Sequence, residues 1–94
     1  MSLPTSEADV DEAWLEVARQ RRLAGVAACE ALERRRLAAT HAGDPFHPRA
    51  QGMEAAAGFH EARAEQLAER ALGAARLAAE LEARLEVGRV GRCA

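Results

Sequence analysis

Lysine, isoleucine, asparagine and tyrosine are absent from this chain of 94 residues. Every fixed positive charge is therefore an arginine, and the 13 of them are outweighed by 15 acidic residues for a net charge of −2. Both signs are scattered along the chain, so no basic field gathers on one segment for a nucleic acid. Aromatic residues are as scarce: one Trp and two Phe leave no stacking platform to interleave with the arginines. No apolar run approaches the roughly 18 residues needed to cross a bilayer, which sets membrane partners aside. The opening Met1-Ser2-Leu3-Pro4 brings neither the basic start nor the apolar core of a signal peptide, and a cytoplasmic protein is expected.

Cysteine is nearly missing, and Cys29 and Cys93 alone make no disulfide framework. In a helical hairpin Cys93 would lie near the open end, roughly 40 Å from Cys29 at 1.5 Å per residue, too far to bridge. Cys29 is read as a small core residue and Cys93 as an exposed thiol. Glycine-rich phosphate loops, zinc-finger spacings and nucleophile elbows are also missing. No enzyme and no cofactor are expected.

What fills the chain instead is alanine, 24 residues, and leucine, 10 residues, set among Glu and Arg. That composition with a period near 3.5 marks long helices or coiled coil. Favouring Ala, Arg, Gly and Leu over Lys, Asn and Ile is also the bias of a GC-rich, most simply bacterial, coding sequence. Ser6 with Asp9, or Asp9 with Glu12, forms a capping box. Acidic residues crowd the first turns, where the helix dipole favours them. Gly43 is the natural stop. These signals predict helix one over 7–42, a turn over 43–48 built on Gly43-Asp44-Pro45-Phe46-His47-Pro48, helix two over 49–87, and a flexible tail over 88–94. All belong to one domain spanning 1–94. A connection this short requires the two long helices to double back antiparallel.

The strongest periodic signal lies in helix two. Ala57, Ala64, Ala71, Ala78 and Leu85 recur every seven residues, interleaved with Met53, His60, Leu67, Ala74 and Leu81. Helix one carries Val10, Val17, Ala24, Ala31 and Ala38 at the same spacing. Matched in reverse order, Ala38 meets Ala57, Ala24 meets Ala71 and Val10 meets Leu85. The fold class expected is all-α: an antiparallel two-helix hairpin with an Ala-rich coiled-coil seam. The seam leaves over Trp14, Leu15, Leu23, Val26, Leu32, Leu37, Phe59, Leu72 and Leu77, which share no single stripe. Two helices cannot bury apolar residues spread so widely, so these nine are the expected interface. A homodimer forming a four-helix bundle is the simplest arrangement, and a helical protein partner is the other.

Three sets of residues invite chemistry. His60 stands on the seam where an apolar residue belongs, with Glu61 beside it. A metal-binding bundle would join His60 to glutamates from two chains, but the Glu-x-x-His of carboxylate bundles is broken by Ala57 three residues earlier. A histidine satisfied across the interface, with Arg35 or a glutamate of a partner chain nearby, is the preferred reading. His41 and His47 flank the turn and with Asp44 form a loose candidate for a transition metal, read instead as a solvated turn. Arg34, Arg35 and Arg36 wrap the helix rather than share a face, and Glu30 and Glu33 stand four and three residues before Arg34 and Arg36, ready to neutralise those two locally.

In architecture the chain resembles small helical hairpins of bacterial secretion: the Trp-x-Gly secreted family, and the needle subunits and small needle chaperones of type III secretion. It departs from the first at the turn, and Trp14 lies within helix one; no family is assigned. The expected function is a non-catalytic assembly or adaptor protein working through helix–helix contacts, with the metal-binding bundle and the secretion-linked hairpin as alternatives.

Overall fold

The computed structural model describes residues 5–42 and 50–93, with side chains described over 5–42 and 52–91. Two helices account for nearly all of it, α1 over Glu7–His41 and α2 over Ala50–Cys93, packed against each other along their length. No strand occurs among the described residues.

Helix α1 begins as the sequence predicts, at Ser6 and Asp9. The Ser6 hydroxyl accepts from the Asp9 N–H at 3.2 Å, and the Asp9 carboxylate accepts from the Ser6 N–H at 3.0 Å. Two backbone donors that no helical carbonyl can reach are thereby satisfied. At the far end Ala42 leaves the helix with an extended ψ of 128°, its N–H bonded to the Ala39 carbonyl. The predicted turn, with Gly43, Asp44 and His47, lies outside the described residues.

Helix α2 corrects one boundary. The tail expected to be flexible from residue 88 is helical to Cys93. Gly88 and Gly91 each cost about 1 kcal/mol against alanine, but no proline interrupts the ladder. Arg89 between them is also anchored, to Glu7 across the hairpin and to Glu86 one turn back.

The core is built from small side chains. Its buried apolar residues are Val10, Val17, Ala27, Ala31 and Ala38 from α1 and Ala57, Ala71 and Ala78 from α2. Both columns read from helix two are buried or half-buried throughout, and the single column read from helix one is matched by a second, Ala13, Gln20, Ala27 and His41. Cross-helix bonds check the register. With Ala38 opposite Ala57, residue 35 is level with residue 60 and residue 7 with residue 88. Arg35 does bond Glu54 and Glu61, on either side of that level, and Glu7 bonds Arg89.

The product is a rod of 75 × 21 × 15 Å with a radius of gyration of 21.0 Å, against about 12 Å for a compact domain of this length. Its accessible surface is 7377 Å² for 10.1 kDa, where a compact monomer would show about 5,300 Å². The excess, about 2,000 Å² per chain, is as large as a specific protein–protein interface. No described helix is long and apolar enough to cross a membrane.

Candidate functional site

Heptad geometry gives the hairpin a seam, two flanks and a back. One flank is fixed by its ion pairs. Glu7, Trp14, Arg21, Ala28 and Arg35 recur every seven residues on α1, and Glu54, Glu61, Ala68, Ala75, Glu82 and Arg89 do so on α2. The two columns face each other, because Arg35 joins Glu54 and Glu61 near the turn and Glu7 joins Arg89 at the open end. Between them lies a shallow open cleft lined by Arg21, Ala24, Ala68, Ala71, Leu72 and Ala75.

The Arg35 fork is the most developed polar feature among the described residues. Hydrogen bonds to Glu61 and then Glu54 hold the guanidinium firmly protonated. The bond from Arg35 keeps the Glu61 carboxyl below its ordinary value of 4.5, against a smaller opposing effect of burial. The Ser6 N–H and hydroxyl likewise keep Asp9 below 3.8. A depressed carboxylate contributes stability that is complete above its unfolded pKa and lost as pH falls through its folded one. Acidification below about pH 5 should therefore lower the melting temperature. Glu61→Gln, melted alongside the parent from neutral to acid pH, should show a flatter profile; parallel profiles would mean that the fork is not coupled to folding. Since the fork is solvent-exposed, high salt should shrink the difference.

This fork accounts for the middle residue of the arginine run. Arg35 is neutralised by α2, not by Glu30 or Glu33 on its own helix, because it sits in the column that faces the partner helix. Local pairing does occur at Arg19, bonded to Glu16 at 2.7 Å.

His60 sits on the seam, about a quarter exposed, with Nδ1 3.8 Å from a Glu30 oxygen and its ring edge-on to Phe59. Its neighbour across the hairpin is thus Glu30, while Glu61 turns to Arg35. The structure does not bring His60 and Glu61 together as a ligand pair. Among the described residues no cluster of three or more His, Cys, Asp or Glu side chains could hold a metal ion. His41 is half-buried at the end of α1 and engaged with its surroundings; His47 and Asp44 lie outside the described residues.

Cys29 corrects a second expectation, for it is exposed and free rather than part of the core. It lies two residues from both Ala27 and Ala31, about 200° around the helix from each, and so faces away from the seam. The side chain of Cys93 is outside the described residues.

The nine apolar residues left over by the seam are all exposed: Trp14, Leu15, Leu23, Val26, Leu32 and Leu37 on α1, Phe59, Leu72 and Leu77 on α2. Val87 and Val90, which the expected helix end and flexible tail leave out of that set, join them. Gln20 was missed as well. It occupies the second seam column of α1, where its Nε2 donates to Glu16 at 2.8 Å and its Oε1 is buried without a donor. No family model, curated protein or solved structure matches this chain.

Proposed function

We propose that the protein is a non-catalytic interaction module, an α-helical hairpin that works by packing its outer surface against other helices in a coiled-coil-like bundle. One observation carries this reading: the chain's buried core is alanine and valine, while its Trp and most of its larger apolar side chains stand outside. Covering a leucine-sized side chain is worth about 1.5–3 kcal/mol, so a surface holding so many has a large driving force for association. A rod two helices thick has no interior left in which to hide them. The simplest partner is a second copy, giving a four-helix bundle; another helical chain satisfies the same surface.

Sedimentation of the purified protein at micromolar concentration tests the reading. A dimer or higher oligomer, with helicity that falls on dilution, is expected. A stable, fully helical monomer throughout that range would remove its support.

A further inference from the structure

We infer that the self-association surface is the flank bearing Trp14, Leu32 and Leu72, and that its occupant is the same flank of a second copy. The inference rests on the reading of the protein as an interaction module and adds the face and the partner. Two flanks are open, and their charges separate them. Along the middle of the rod, from Trp14 to Leu32 on α1 and Glu65 to Ala79 on α2, this flank carries only Arg21 and Glu65 as charged positions. Over the same span the opposite flank sets its exposed Leu23, Val26 and Leu77 among four charged residues, Glu16, Arg19, Glu30 and Arg70. Interface centres are depleted of charge and are ringed by polar groups. Here the ring exists already, since Arg35 with its glutamates closes one end of the flank and Glu7 with Arg89 closes the other.

The arrangement of large side chains points to a second copy. In the observed register, with Ala24 and Ala71 lining one cleft, Leu72 stands level with residue 23. That is midway between Trp14 and Leu32, about 13 Å along the rod from each. A two-fold axis crossing the rod at Leu72 brings Leu72 against its own copy. The same operation sets Trp14 of each chain against Leu32 of the other. Small residues occupy the intervals: Gly25, where a Cβ would meet nothing within 4 Å, and Ala68 and Ala75. Such spacing suits knobs that must pass one another. Arg21 and Glu65 carry opposite signs, and neither forms an ion pair within its own chain among the described residues. The two-fold brings each towards the other copy's counterpart, the complementarity an isologous interface requires.

Two measurements test the face. Trp14 is the only tryptophan and is 36% exposed in the single chain. Its emission should shift to the red, and become accessible to iodide, as the unsubstituted protein is diluted from dimer to monomer. Leu72→Arg should weaken the dimer about 1,000-fold, because each dimer carries the change twice, whereas Leu77→Arg on the opposite flank should leave it nearly unchanged. If Leu72→Arg fails to fold by circular dichroism, the Trp14 titration alone decides. A dimer in which Trp14 is as quenchable as in the monomer, or which Leu77→Arg disrupts instead, would overturn the assigned face while leaving self-association intact. A folded monomer that binds no second copy overturns both.

Discussion

Leucine in place of Ala78 should destabilise the hairpin by about 1–3 kcal/mol, although leucine is the more hydrophobic residue and the site lies on a heptad seam. Ala78 is 0% exposed. A side chain of one carbon reaches that value only where the facing helix and the adjacent turns of its own helix enclose it together, so the helices are close there. A leucine can be accommodated only by prising them apart, which loosens the contacts of neighbouring small residues. Ala57, also 0% exposed, lies three heptads away, and its replacement should add to the first almost independently. Together the two should remove about 2–6 kcal/mol, a large share of what a domain this small possesses. Urea unfolding followed by circular dichroism at fixed protein concentration measures the effect; concentration matters because association shifts apparent stability. A gain in stability would mean that the seam has room for leucine and that the helices pack loosely.

Gln20→Leu should act in the other direction. The Gln20 Oε1 is buried with no donor, and an orphaned acceptor costs about 1–3 kcal/mol. Leucine removes the orphan and adds apolar contact at a half-buried position, while forfeiting the bond from Nε2 to Glu16. The balance is a gain of about 1–2 kcal/mol, or several degrees in melting temperature for a chain this short. Gln20→Glu is the control, since a carboxylate at the same place would deepen the penalty. Equal melting temperatures for the parent and the leucine variant would show that Gln20 finds a donor in solution.

Much of the hairpin can be read from periodicity because its seam repeats without interruption. The two columns of helix two and the column from Val10 to Ala38 stay apolar for five heptads, His60 excepted. The second column of α1 is harder to see: Ala13, Gln20 and Ala27 are followed by an arginine pair, and Arg35, one position beyond the repeat, takes the half-buried place. Helix α2 outlasts its expected end because glycine is only a weak stop when tertiary contacts hold the next turn, as Arg89 does. The Arg35 fork could not be found by looking for glutamates three or four residues away. It depends on a residue spacing of 19 and 26, which only the paired register supplies. Cys29 was misplaced for want of that same geometry, since its small size suits a core but its heptad position does not.

An alanine seam has a cost in uniqueness. Slide α2 by seven residues along α1 in either direction, and Ala24 and Ala31 each meet alanine again. The ion pairs lift this degeneracy. Arg35 and Glu7 are four heptads apart, about 42 Å along the helix, and only the observed alignment gives both of them all their partners. After a slip of seven towards either end, at least one of the two pairings is lost or left with a single carboxylate. Bonds too exposed to add much stability thus act as two pins set far apart, fixing an alignment that the alanine column by itself leaves open.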